Sequence, residues 1–224
     1  MLFQLYIAVV MAVAALSEPV ADPEIILWRD TLTVAAKERF DRSLDEKISY
    51  ILKTGKHVRA TYVPPSVRPD IYLVSRSYIK KHARQICPKE FSNAELPQCA
   101  ERIFGWIDDK RKIYVLRAED VSVSEPQFFA GISPELWVEM EVFHETVHYV
   151  QATARPDLQP TTLDCAMTEK WETEAHALTH YWLHSLQSID AERINARLRG
   201  GLAHFSCADP VVETSSSSSI PTTD

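Results

Sequence analysis

The chain has 224 residues, 46% of them hydrophobic and 25% charged, which is enough to bury the core of one globular domain. Its net charge is −7 and its pI is about 5.6. This acidic balance argues against a protein that binds nucleic acid through a broad basic face, so we expect no nucleic-acid partner. The short basic run at 80–84 is interpreted as a solvated helix face.

The N-terminus is typical of an export signal. Residues 2–16 carry no charge and are too few to span a bilayer comfortably. Ala15 and Ser17 place small residues three and one before a cut after Ser17, although no Lys or Arg precedes the apolar run. We expect residues 1–17 to be a cleaved signal peptide, with an uncleaved anchor as the alternative. The mature protein is then exported, periplasmic or secreted, without stable membrane insertion.

Four cysteines in a chain expected to be exported predict two disulfides. Three pairings are possible. We favour Cys87–Cys99 and Cys165–Cys207, because each pair flanks one predicted structural unit. No two cysteines form a CxxC motif, so the sequence contains no zinc ribbon or thioredoxin-like motif.

The first half of the chain predicts helices around a strand. Apolar residues recur at helical spacing over 24–53, and Thr54, Gly55 and Lys56 end this helix. The segments that follow are predicted as an extended proline-rich connection (61–69), a strand (70–75), a short helix capped by Ser75 or Ser77 (76–86) and a loop (88–98).

The second half predicts a hairpin followed by helices. Its segments are a β-hairpin (102–116, turn near 108–110), a loop (119–132), a helix from Ser133-Pro134 to about Ala152, a long helix (166–188), a shorter one (190–199) stopped by Gly200-Gly201, and a disordered Ser-rich tail (209–224). We therefore predict a single α+β domain over 18–208, mostly helical, with a small antiparallel hairpin sheet.

The stretch HETVH at 144–148 places two histidines four residues apart on a predicted helix. Their imidazoles point the same way and can converge on one metal ion. Glu145 is turned about 100° from His144, so it reaches a water on the metal rather than the metal. Zinc lowers the pKa of that water, and the carboxylate removes its proton. We predict one zinc ion held by His144 and His148, with Glu145 as catalytic base. The alternative is a metal-free pair of histidines at the edge of the core.

The third ligand is expected from the next long helix. Its apolar stripe comprises Met167, Trp171, Leu178 and Tyr181. Glu174 falls inside that stripe, where a carboxylate is costly unless it is paired or binds a metal. We therefore predict Glu174 as the third ligand, with a buried ion pair as the alternative. Glu172 is interpreted as a surface charge on the more polar side.

This arrangement resembles the gluzincin group of zinc metallopeptidases, in which a glutamate from a downstream helix is the third ligand and is often followed by alanine. Here Glu174-Ala175 follow the HExxH motif by 26 residues. The HExxH–Gln and CxxxExWExEAHxL stretches also resemble small exported bacterial proteins regarded as metallopeptidases of unknown substrate. The resemblance covers about 130–190. It departs from some gluzincins at Leu178, where they carry an acidic residue, and the metzincin extension of HExxH is absent.

The resemblance implies a zincin-like fold with a strand along the cleft that pairs with an extended substrate. It also implies a Tyr or His that stabilises the oxyanion. His176, His180 and Tyr181 are the candidates for that catalytic role, the alternative for the two histidines being solvated helix residues.

The sequence thus predicts a zinc-dependent hydrolase, with metallopeptidase activity on a peptide or protein substrate as the leading interpretation. Two alternatives stay open. One is a secreted zinc-binding module without turnover, and the other is a zinc hydrolase of a non-peptide amide such as a cell-wall component.

Overall fold

The computed structural model of the chain describes residues 24–87, 91–124, 132–158 and 163–201. Within them the strands are β1 Ile25–Leu27, β2 Ile71–Val74, β3 Gly105–Ile107 and β4 Ile113–Leu116. The helices are α1 Val34–Thr54, α2 Arg76–Ile86, α3 Leu96–Arg102, α4 Ala118–Ser124, α5 Pro134–Ala154, α6 Cys165–Ser185 and α7 Ile189–Gly201. The predicted signal peptide and Ser-rich tail lie outside the described residues. No described helix has the length and apolar character needed to cross a membrane.

The four strands form one mixed sheet in the order β1-β2-β4-β3. The predicted hairpin is present, because β3 pairs antiparallel with β4. The sheet is larger than the predicted hairpin, since β2 pairs parallel with β4 and β1 pairs antiparallel with β2. The parallel pair requires a crossover connection, and α2 and α3 provide it. The α+β class, mostly helical, is confirmed.

Side-chain caps fix where the site-forming helices begin. Ser133 Oγ accepts from Leu136 N at 3.3 Å at the start of α5, and Asp164 Oδ1 accepts from Met167 N at 2.7 Å at the start of α6. Each bond satisfies a backbone donor that the first helical turn leaves without a partner. The predicted start of α5 at Ser133-Pro134 is therefore confirmed.

Two segments predicted as loops contain short helices. The segment 88–98 includes the start of α3, where Pro97 lies in the first turn. Proline is favoured there because that turn needs no intrahelical N–H. The segment 119–132 includes most of α4, whose first turn carries Glu119 and Asp120, acidic residues that the positive end of a helix favours.

The disulfide Cys87–Cys99 is confirmed and joins the end of α2 to α3. Cys165, the first residue of α6, is also disulfide-bonded. Its predicted partner, Cys207, lies outside the described residues.

Helix α5 is the central element of the fold. It packs against β3 and β4, against α1 and against α6. The ring of Phe143 stacks on that of Trp182 of α6, with centroids 4.7 Å apart. Tyr50 of α1 contacts the Phe143 ring edge-on, with centroids 5.9 Å apart. Because α5 is buried over most of its surface, the polar side chains in its second half must find partners inside the protein.

Candidate metal centre

Three polar side chains meet between α5 and α6. His144 and His148 lie one turn apart on α5, both less than 10% exposed, with their Nε2 atoms 3.2 Å apart. Helix α6 brings Glu172 against both rings. Its Oε2 lies 3.3 Å from His144 Nε2, and its Oε1 lies 3.4 Å from His148 Nε2. Two imidazole nitrogens and one carboxylate therefore converge on one point.

The separations between these groups are similar to those between ligand atoms around a tetrahedral metal ion. Ligand atoms held about 2.0–2.1 Å from such an ion are roughly 3.3–3.4 Å apart. The two Nε2 atoms are 3.2 Å apart, and each lies a similar distance, 3.3 or 3.4 Å, from a different oxygen of the Glu172 carboxylate. The side chains thus form a possible binding group for a divalent metal.

A second group overlaps the first. His176 follows Glu172 by one turn of α6, and its Nε2 lies 3.9 Å from Glu172 Oε2. Its ring centroid is 4.7 Å from that of His144. Ligand atoms of His144, Glu172 and His176 all lie within 4.8 Å of one another. The two possible triads share His144 and Glu172 and differ in the remaining histidine. The shorter separations favour His148 as the third member.

The placement predicted for the two glutamates of α6 is corrected by this geometry. Glu172 contacts the histidines, whereas Glu174 Oε2 accepts from Gln151 Nε2 at 3.1 Å and from Tyr62 Oη at 3.3 Å. The predicted apolar stripe includes Tyr181, which is 45% exposed and therefore does not belong to the core.

The face that α6 buries is centred differently. Its buried residues are Trp171, Ala175, Leu178, Thr179, Trp182 and Leu183. At 100° per residue, Glu172 lies between Ala175 and Leu183 on this face, whereas Glu174 lies beyond its opposite edge. Ala175 and Thr179 lie between the large apolar residues of this face, so a stripe drawn through large apolar residues alone does not reveal where the face is centred.

Hydrogen bonds at the Nδ1 atoms orient both histidine rings. Gln151 Oε1 lies 2.7 Å from His148 Nδ1, and Thr179 Oγ1 lies 3.4 Å from His144 Nδ1. The Thr179 hydroxyl already donates to Ala175 O at 2.8 Å, so its oxygen accepts from His144. Both neutral rings are thereby set to carry the proton on Nδ1, which leaves a lone pair on each Nε2.

Gln151 is itself held by further bonds. Its Nε2 donates to Trp171 O at 3.1 Å and to Glu174 Oε2. Burial, followed by the neighbouring Glu174 carboxylate, raises the pKa of Tyr62, so its hydroxyl stays a donor. We call the chain Tyr62–Glu174–Gln151–His148 the support chain. It reaches from the proline-rich connection to a candidate ligand.

Electrostatics divide the cluster into charged and neutral members. Burial opposes the charge on both Glu172 and His148. Their mutual attraction and hydrogen bonding outweigh it, lowering the pKa of Glu172 and raising that of His148. Burial, followed by the nearby His144, lowers the pKa of His176 to about 3, so this ring is neutral at physiological pH.

Glu145 lies buried beside the cluster. Among the described residues its Oε2 has no hydrogen-bond partner, and burial raises its pKa. Strand β3 runs directly against it, because a Cβ on Gly105 would lie 3.0 Å from both Cγ and Oε1 of Glu145. Glycine at this position therefore allows the sheet to approach the carboxylate.

The structure does not bring His180 and Tyr181 into the cluster. His180 Nδ1 bonds Asn195 Oδ1 of α7 at 3.0 Å. Tyr181 is exposed, and its ring lies 5.8 Å from that of His57. Of the three residues predicted to stabilise an oxyanion, only His176 lies beside the two motif histidines.

Three residues of the site were not predicted from the sequence. Gln151 had a usable signal, since it lies three residues after His148 on the same helix face. Thr179 lies one turn after Ala175, but a threonine on a helix is not distinctive. Tyr62 lies in the proline-rich connection and had no signal. Its position depends on Gly55, where a Cβ would lie 2.7 Å from the Tyr62 ring.

The cluster combines a nitrogen-rich group that could hold a metal, a buried carboxylate beside it and a strand against that carboxylate. Comparisons of the chain with protein-family models, with curated proteins and with solved structures found no match.

Proposed function

We propose that the protein is a zinc-dependent hydrolase, and that it acts as a metallopeptidase of the gluzincin type. The observation that carries the proposal is the convergence of His144 Nε2, His148 Nε2 and the Glu172 carboxylate, with separations of 3.2, 3.3 and 3.4 Å. Two nitrogens and one carboxylate are a donor set of catalytic zinc sites, which keep three protein ligands and one open position. The ligand glutamate in this proposal is Glu172, and Glu174 supports a ligand.

Each residue has a role in the proposed reaction. A bound zinc ion would supply Lewis-acid chemistry, polarising a carbonyl and lowering the pKa of water. Glu145 takes a proton from the attacking water at Oε2, which no described residue hydrogen-bonds, and delivers it to the leaving nitrogen. Burial raises the pKa of Glu145, which brings it closer to neutral pH, where a group can both accept and donate a proton.

Strand β3 is an edge strand of the described sheet, which supports the proposal that the substrate is a peptide. On the first arm of the hairpin, Phe104 O accepts a hydrogen bond from Leu116 N at 2.7 Å. Asp108 N donates one to Lys112 O at 3.0 Å. In an antiparallel pair, alternate residues form hydrogen bonds with the partner strand, so the N–H and C=O groups of Gly105 and Ile107 point away from β4. An extended peptide could pair with these groups. Gly105 would place such a peptide next to Glu145.

Turnover of a quenched-peptide library by the zinc-loaded protein tests the proposal. Glu145→Gln should lower turnover by a factor of roughly 10²–10⁴ while zinc remains bound. Glu46→Gln removes an exposed carboxylate on α1 and is the matched control, with turnover unchanged. A zinc-loaded parent protein that cleaves no peptide would contradict the peptidase proposal, and equal turnover in Glu145→Gln would contradict the role of Glu145.

A further inference from the structure

We propose that His176 is a fourth protein ligand of the ion that His144, His148 and Glu172 hold. This inference rests on the proposed metal site, but it concerns the state of that site before a substrate binds. It replaces the role in oxyanion stabilisation predicted for His176, because a nitrogen that binds the metal cannot also donate a hydrogen bond to substrate.

The first support for this inference is that α5 and α6 each carry two candidate ligands one helical turn apart. Helix α5 presents His144 and His148 one turn apart, and α6 presents Glu172 and His176 one turn apart. Side chains four residues apart lie on the same face of a helix. Two facing helices therefore each direct two metal-ligating side chains into the space between them, which is a recurrent way to build a metal site from packed helices.

The distances support a shared centre. Glu172 Oε2 lies 3.3 Å from His144 Nε2 and 3.9 Å from His176 Nε2, so one carboxylate oxygen faces both rings. Ligand atoms of these three residues lie within 4.8 Å of one another. The separation to His176 is about half an ångström longer than a tetrahedral edge, and a side-chain rotation would close it.

Burial distinguishes His176 from His184, the last histidine of the same helix. The His176 side chain is 17% exposed, whereas that of His184 is 76% exposed and pairs with Glu192. The ring of His176 lies beside that of His144, between the two helices. It is therefore held where a ligand is needed, while His184 extends from the surface.

The consequence concerns whether the site is open. Three protein ligands leave a tetrahedral zinc ion one position for water, and four fill it, as in structural zinc sites. With His176 bound, the substrate-free protein has a closed site. Hydrolysis then requires His176 to leave or the ion to accept a fifth ligand. The same geometry favours the zinc-binding module without turnover if His176 does not leave.

X-ray absorption on the zinc-loaded parent protein tests the inference without any variant. We expect three imidazole nitrogens and one carboxylate oxygen around zinc. Two imidazoles and a water would overturn the inference while leaving the proposed three-ligand site intact. A protein that binds no stoichiometric zinc would instead overturn the proposed function, so the two failures are distinguishable.

A zinc competition titration provides the matched comparison. His176→Ala should lower the affinity for zinc by at least about tenfold and reduce the imidazole count by one. His184→Ala, on the exposed side of α6, should change neither. Unchanged affinity in His176→Ala contradicts the inference. If His176→Ala does not fold by circular dichroism, His176→Gln keeps a polar side chain of similar length and is measured in the same way.

Discussion

Glu172 and Glu174 lie two residues apart on α6 and have different surroundings. Glu172 faces the His144 and His148 rings directly at 3.3 and 3.4 Å. Within the described part of the chain, Glu174 reaches the same site through Gln151. The carboxylate of Glu172 is thus a candidate ligand, whereas that of Glu174 supports the orientation of a ligand. The two side chains leave the helix axis in directions about 200° apart.

The two carboxylates are also compensated differently. Glu172 faces imidazoles that can become positive, and their attraction outweighs burial and lowers its pKa. Glu174 receives hydrogen bonds from an amide and a phenol, both uncharged donors. A half-buried carboxylate needs such partners because losing water is costly. The support chain therefore satisfies Glu174 and, at its other end, orients His148.

The largest difference in zinc affinity is expected between the variants that neutralise one or the other of these two glutamates. Glu172→Gln keeps the shape of the side chain but removes the anionic ligand, so we expect the affinity for zinc to fall at least about 100-fold, beyond the loss typical of a supporting residue. Glu174→Gln retains an oxygen that can accept from Gln151, so the expected change is less than about fivefold. A competition titration against a chromophoric chelator measures both. The reverse order would require the proposed site to be rebuilt around Glu174.

Much of this arrangement was predictable where one local signal dominates. Helix α5 was predicted from Ser133 and Pro134 at its start and from the spacing of its apolar residues. The hairpin and the strand β2 followed from short β-rich runs between turn residues. His144 and His148 were predicted to be neighbours because four residues separate them on one helix.

The choice between Glu172 and Glu174 was not predictable in the same way. It depends on which face of α6 packs against α5, and Ala175 and Thr179 on that face have little apolar weight. The role of Tyr62 depends on contacts more than 100 residues apart in sequence. The parallel pairing of β2 with β4 was missed for a similar reason, since it joins segments that no single pattern connects.

Gln151 provides the next test, because it links the two halves of the comparison. Gln151→Ala removes the acceptor at His148 Nδ1 and leaves Glu174 with one donor fewer. We expect the affinity for zinc to fall about tenfold, the lower end of the loss when the outer partner of a metal-binding histidine is removed. Nitrogen NMR of the His148 ring should show mixed tautomers in the variant and one tautomer in the neutral parent.

The conservative change Gln151→Glu is the control for that experiment. It keeps an oxygen that can accept from His148 but places a second carboxylate beside Glu174. We expect the single tautomer to persist while the stability of the fold decreases through like-charge repulsion. If Gln151→Ala leaves both the tautomer and the affinity unchanged, the support chain has no part in metal binding.

The ion pair at Glu172 predicts a pH dependence of the metal-free protein. Burial alone would lower the pKa of His148, but the Glu172 charge raises it from 6.5 to about 9. The contribution of His148 to stability is therefore fully present below pH 6.5 and is lost as the pH rises towards 9. The raised pKa values of Glu141 and Glu145 act in the same direction. We expect the melting temperature of the metal-free protein to fall between pH 6.5 and 9.

Two controls test the contribution of His148 to that pH dependence. Glu172→Gln removes the partner charge, so the melting temperature should fall less steeply with pH, while the effect of burial on the pKa of Glu141 and Glu145 remains. Zinc binding requires both histidines to be neutral, so the zinc-loaded parent should lose the His148 contribution and bind zinc more tightly as the pH rises. Identical slopes in the parent and Glu172→Gln would contradict the ion pair.

Tyr62→Phe should have the smallest effect, because Tyr62 is three contacts away from the candidate metal ligand His148. The substitution removes one hydrogen bond, the 3.3 Å donation to Glu174 Oε2, and leaves the ring packed near Gly55. Losing one such bond costs about 1 kcal/mol, which is roughly 2–4 °C in the melting temperature of a domain of this size. Gln151 still donates to Glu174, so the affinity for zinc should stay within about twofold of the parent value. Thermal melting and the chelator titration are measured on the same samples. A tenfold loss of zinc affinity with little change in melting temperature would contradict this order, because it would mean that the phenol, rather than α6, sets the position of Glu174.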